Sequence, residues 1–79
     1  MTVKELRDAL SNLPDDALVV LSQDSEGNRF GPLDEVLAGK YDFESEWAGK
    51  FFENEVLNDP IFEQPSPDAV SAVCLWPVN

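Results

Sequence analysis

The sequence predicts an α+β fold, with one N-terminal helix packed on a small, mainly antiparallel sheet of three to five strands. Three observations carry that expectation. A capped amphipathic segment opens the chain, and two short apolar runs read as buried strands. Between them lies a stretch in which apolar and acidic residues alternate. At 79 residues the chain makes one domain, 1–79, small enough to need nearly every large apolar side chain for packing.

The helix is expected over Thr2 to Leu13. Thr2 and Glu5 have the spacing of a capping box, and Met1 and Leu6 that of a hydrophobic staple. Val3, Leu6, Ala9, Leu10 and Leu13 fall on one face. Pro14 ends the helix, because it disfavours helical geometry in the residue before it and has no amide to donate. Ala17 to Leu21 is continuously apolar and β-branched at its centre, which predicts a strand sealed on both faces. Asp24-Ser25-Glu26-Gly27 has the composition of a type I turn. Gly31-Pro32 is a second breaker, and the Leu33–Lys40 segment fits a strand or a single helical turn equally.

Tyr41 to Trp47 alternates apolar or small residues with acidic ones. On a strand it would send Tyr41, Phe43 and Trp47 inward, and Asp42, Glu44 and Glu46 outward at intervals of roughly 6.6 to 6.8 Å. Gly49, in a left-handed conformation, would close a three-residue hairpin loop. The return strand, Lys50 to Leu57, would carry Glu53 and Glu55 on one face and Phe52 and Val56 on the other. Phe51 breaks this alternation by sharing the acidic face. Asn58 to Asp68 holds three prolines and reads as a semi-rigid loop pinned by Ile61 and Phe62. Ala69 to Trp76 is the second expected central strand.

Charge narrows the function classes. Sixteen acidic residues face five basic ones, a net charge of −11 that repels nucleic acid and anionic membrane and attracts basic surfaces. The absence of histidine removes the usual general base and the commonest metal ligand, so no enzyme and no cofactor is expected. Carboxylate pairs abound, but a sugar cleft needs walls that so short a chain does not spare. Asp24 to Asn28 lacks the ligand spacing of a calcium loop. Cys74, the sole cysteine, lies in an expected core strand and reads as a small hydrophobe in a reducing compartment. The opening residues are too charged for a signal peptide.

The acidic row has two readings. Charges on the outside of a strand keep an exposed sheet from pairing with another molecule. Carboxylates in lines also match the phosphates of a nucleic-acid strand, which carries one charge per ~1.7 Å of duplex axis. Asp42, Glu44, Glu46, Glu53 and Glu55 would be the phosphate substitutes, with Asp24, Glu26 and Asp59 as outliers. Phe51 would be an apolar contact.

Met1-Thr2-Val3-Lys4-Glu5-Leu6, Leu13-Pro14-Asp15-Asp16-Ala17, Pro32-Leu33, Gly39-Lys40-Tyr41 and Ala72-Val73-Cys74-Leu75-Trp76-Pro77 together resemble small proteins encoded by bacteriophages and prophages. In size and charge the chain is similar to anti-CRISPR and other anti-defence proteins, several of which act as DNA mimics. The resemblance runs nearly full length, rests on fold residues and names no functional side chain. It implies a cytoplasmic inhibitor, acting in a host bacterial cell, that blocks DNA recognition by a basic groove such as that of a type I CRISPR surveillance complex. The alternative is a non-enzymatic phage accessory protein that binds its partner through an apolar patch around Phe51, Ile61 and Phe62.

Overall fold

The computed structural model describes residues 1–78. It is α+β: helix α1 (Val3–Leu10) is followed by strands β1 (Val20–Ser22), β2 (Phe30–Phe43), β3 (Gly49–Glu53) and β4 (Val70–Pro77). A single 3-10 turn, Asn54–Val56, follows β3. The strand order is β1-β2-β3, with β4 also paired to β2. Leu33 to Lys40, ambiguous in sequence, belongs to the 14-residue β2 to which every other strand pairs.

Two compact units divide the chain, one comprising Met1–Leu33 with the C-terminal end from Pro77, the other Asp34–Trp76. In the first, α1 starts as the capping box requires. The Thr2 hydroxyl accepts from the Glu5 amide at 3.1 Å, and the Glu5 carboxylate accepts from the Thr2 amide at 3.3 Å. The helix is shorter than its apolar period, ending at Leu10 with Ser11 as its C-cap. Met1 is exposed, so the expected staple onto Leu6 is not made, and Leu6 alone of the helix is withdrawn from water.

The expected Ala17–Leu21 strand contracts to Val20–Ser22, antiparallel to β2 through Val20↔Pro32, Leu21↔Gly31 and Ser22↔Phe30. It is not sealed on both faces: Leu18 is 77% exposed, and Val19 and Val20 are open as well. Sealing a strand twice requires a layer on each side, and β1 stands at one end of the strand order. The Asp24 turn forms as expected, with the Gly27 amide donating to the Asp24 carbonyl at 3.5 Å.

In the second unit β2 and β3 form a hairpin with Tyr41↔Phe51, Asp42↔Lys50 and Lys40↔Phe52 opposite one another. The strand does not extend through Glu44, Glu46 and Trp47. Ser45 captures the Trp47 and Ala48 amides on its hydroxyl at 3.1 and 3.2 Å, while the Ala48 carbonyl takes the Glu44 and Ser45 amides. Those bonds close a five-residue loop, Glu44 to Ala48, in place of the three-residue one. Trp47, expected in the core, is 90% exposed at its tip. Gly49 sits in β3 rather than in a left-handed turn. It is needed for a close approach, since a Cβ there would collide with the Asp42 carbonyl and meet the Tyr41 ring at 2.7 Å.

The return strand ends at Glu53, and the chain turns through Asn54–Val56 instead of continuing to Leu57. Among the described residues Phe52 is the one large apolar side chain that is buried, at 8% exposure. Cys74, expected in the core, is half-buried. Among the described residues no helix is long and apolar enough to cross a membrane.

Candidate protein-interaction surface

Alternation along β2 and its register with β3 assign the side chains of the second unit to two faces. Tyr41, Phe43 and Phe51 share one face, where the Tyr41 and Phe43 rings meet edge-on at a centroid distance of 4.8 Å. Lys40, Asp42, Lys50 and Phe52 share the other. Phe51 therefore sits among aromatics and, two residues before Glu53 on β3, also shares that residue's face, as the alternation expects.

The loop from Asn54 to Asp68 is tied to the second face through its C-terminal half, at Glu63 and Ser66. The Ser66 amide and hydroxyl donate to the two Asp42 carboxylate oxygens at 2.7 and 2.6 Å. The Lys50 ammonium meets the Glu63 carboxylate at 3.0 Å. These bonds favour the charged forms. Ser66 holds the Asp42 carboxyl below its ordinary range, and Glu63 holds the Lys50 ammonium above its own.

Inside the loop one side chain organises the backbone. The Gln64 oxygen accepts from the Asn58 amide at 2.7 Å. Its amide nitrogen donates to the carbonyls of Val56 at 2.8 Å, Asp59 at 2.9 Å and Phe62 at 3.3 Å. Asn58, at a φ of 67°, is one of the few non-glycine residue types that adopt the left-handed region readily.

The candidate acidic residues are thus dispersed. Asp42 is consumed in anchoring Ser66, and Glu44 and Glu46 lie in the hairpin loop. Glu53 ends β3, half-buried opposite Gly39, while Glu55 is exposed on the 3-10 turn. Asp59 caps a local turn, accepting from the Ile61 amide at 3.1 Å. In the first unit Asp24 accepts from the Glu26 and Asn28 amides, and the Asn28 bond foremost pulls its carboxyl below the usual range. Glu26 stays exposed on the same turn. The strand-borne row Asp42-Glu44-Glu46 is not formed, because Ser45 ends the strand after Phe43.

What the second unit does build is an open aromatic groove of about 350 Å³, lined by Phe51, Phe52, Glu53, Val56, Phe62, Glu63 and Trp76. Phe52 is its buried member, and Phe62 and Trp76 are about half exposed, at 47% and 48%. Two carboxylates, Glu53 and Glu63, stand among these rings. Phe62 and Phe51 were legible as contact candidates, but Ile61, expected beside them, is 82% exposed and is not in the lining. Trp76, expected as core, was missed as a groove wall.

No family model, curated protein or solved structure matches the chain.

Proposed function

We propose that the chain is a non-enzymatic interaction module whose aromatic groove, within Asp34–Trp76, is closed by a basic protein surface. The observation that carries this reading is the convergence of Phe51, Phe62 and Trp76 on one groove that leaves two of them half open to water. Apolar rings left open in this way gain free energy on being covered, at about 25 cal/mol per Å² of apolar area removed from water. Charge chooses the partner. Ten of the sixteen carboxylates and only two of the five cations lie in this unit. A second copy would be repelled, whereas a cationic surface is steered in.

The likeness to phage-encoded anti-defence proteins supplies the setting: a basic component of a host defence complex, of which a type I CRISPR surveillance complex is the instance we favour. Action on such a complex would take place in the host cytoplasm.

Charge mimicry of DNA is the second reading, favoured by the carboxylates that no cation neutralises. Among the described residues only Lys4–Asp8 and Lys50–Glu63 form ion pairs. Glu44, Glu46 and Glu55 are exposed and would supply the field, without the even spacing of a strand. One experiment separates the two readings. The partner is captured from host lysate and purified, and its binding is then measured with competing duplex DNA and across a salt series. The groove reading expects binding that Phe62→Ala weakens at every salt concentration. A partner lost to duplex DNA, insensitive to Phe62→Ala and abolished by Glu44→Lys with Glu46→Lys, would be a mimicry target instead.

A further inference from the structure

We infer that the groove is a socket for a single cationic side chain, an arginine or lysine projecting from the partner. This deepens the interaction-module reading and rests on it. Three features of the groove converge on such a ligand. Its rings, Phe51, Phe52, Phe62 and Trp76, offer π faces and edges to the apolar stem of a long side chain and to the charge at its end. Its two charged lining residues, Glu53 and Glu63, are both acidic, so a cationic head finds carboxylate acceptors there. Its volume, about 350 Å³, is at the small end of the range for ligand sites and suits one or two side chains better than a folded segment.

The chain already contains a rehearsal of this contact. The Lys50 ammonium lies 3.0 Å from the Glu63 carboxylate, with both side chains more than half exposed. An incoming guanidinium competes with Lys50 for Glu63 and adds what Lys50 lacks, a planar fork that can bond a carboxylate through two donors and stack on a ring. Arginine is therefore the better ligand of the two. Lys50 also becomes a resident competitor, and its removal frees Glu63 for the guest.

The test uses the full chain carrying Trp47→Phe, which leaves Trp76 as the sole indole. Trp47 is 90% exposed at the hairpin tip, so this change spares the fold. The probes are a capped Gly-Arg-Gly peptide and its citrulline counterpart, which keeps the shape and loses the charge. Binding is followed by Trp76 fluorescence and by amide shifts at Phe51–Glu53 and Phe62–Glu63. The arginine peptide should saturate the signal at millimolar concentration or below, and citrulline should bind at least about tenfold more weakly. Glu63→Gln should weaken arginine binding severalfold, whereas Lys50→Gln, with the loop still held by Asp42–Ser66 and Gln64, should strengthen it severalfold, a gain that mere loss of folding does not produce. Equal binding of the two peptides, shifts confined to other residues, or unchanged affinity in Lys50→Gln would overturn the socket. So would a doubled mass in sedimentation with the groove amides protected, because a second copy would then be the occupant. Should the peptides fail while the captured partner still depends on Phe62, the socket falls and the broader interaction reading stands.

Discussion

Two acidic, aromatic segments flank β3, and they use their residues in opposite ways. The hairpin loop Glu44 to Ala48 satisfies its backbone with one serine hydroxyl and one carbonyl, leaving Glu44, Glu46 and Trp47 in water. The loop Asn54 to Asp68 ties itself to the sheet through Asp42–Ser66 and Lys50–Glu63, and to itself through Gln64. Similar composition thus yields a free charged tip in one place and a braced wall in the other. A carboxylate that holds a loop is not available to a partner. A braced loop, however, can hold Phe62 at a fixed place against β3, which a free tip cannot do for Trp47. Preorganisation of this kind lowers the ordering cost of binding.

Variants that break the braced side should have the largest effects. Phe52→Ala removes the most buried apolar side chain and should cost about 3–5 kcal/mol, enough to unfold a domain of this size at ordinary temperature. Circular dichroism against temperature would detect that loss. Gln64→Ala should cost on the order of 1 kcal/mol, because water replaces most of the bonds it makes in an exposed loop. Hydrogen exchange at the Asn58 amide should accelerate while the helix amides keep their protection.

The anchoring of the braced loop should also depend on pH. The Asp42 carboxyl has its folded-state value depressed, chiefly by the Ser66 hydroxyl. Its contribution is therefore full above the ordinary aspartate value near ~3.9 and is lost as pH falls through the lower folded value. Lys50 is the mirror case. Glu63 raises its folded value, so its contribution is full below ~10.4 and is lost as pH climbs through the higher one. Amide shifts at Ser66 should report the acid step, and Asp42→Asn should abolish it. At the other extreme, Glu44→Lys with Glu46→Lys should leave the melting temperature unchanged, since both residues lie on the exposed tip. A marked loss of stability there would mean that the tip, too, is part of the frame.

The same contrast explains what was legible in the sequence. Thr2 and Glu5 predicted the helix start because a capping box is local, closed within four residues. The α+β class and the presence of β4 followed from apolar runs and length, but β4 is not the sealed central strand expected, since it pairs with β2 and leaves Val70, Val73 and Trp76 about half exposed. The Tyr41–Trp47 alternation misled because its period continues past the point where the strand stops. What ends β2 is the capture of two amides by Ser45, and alternation carries no information about hydrogen-bond partners. Ala17 to Val20 misled for a different reason: a continuous apolar run signals burial only if layers exist to bury it. Among the site residues, Phe51 and Phe62 were visible as apolar side chains without a place. Gln64 and Ser66 were not, because their roles depend on a loop closing over the sheet, a contact that sequence spacing does not encode.

Affinity for the purified partner, compared between Phe62→Ala and the Glu44→Lys, Glu46→Lys pair at low and high salt, tests the central claim most directly. Phe62→Ala should lower affinity by at least tenfold at both salt concentrations. The charge-reversed pair should lose only severalfold at low salt and nothing at high salt, where exposed charges are screened. The opposite result, binding that ignores Phe62 and vanishes with the two glutamates, would contradict the groove and return the function to the acidic tip.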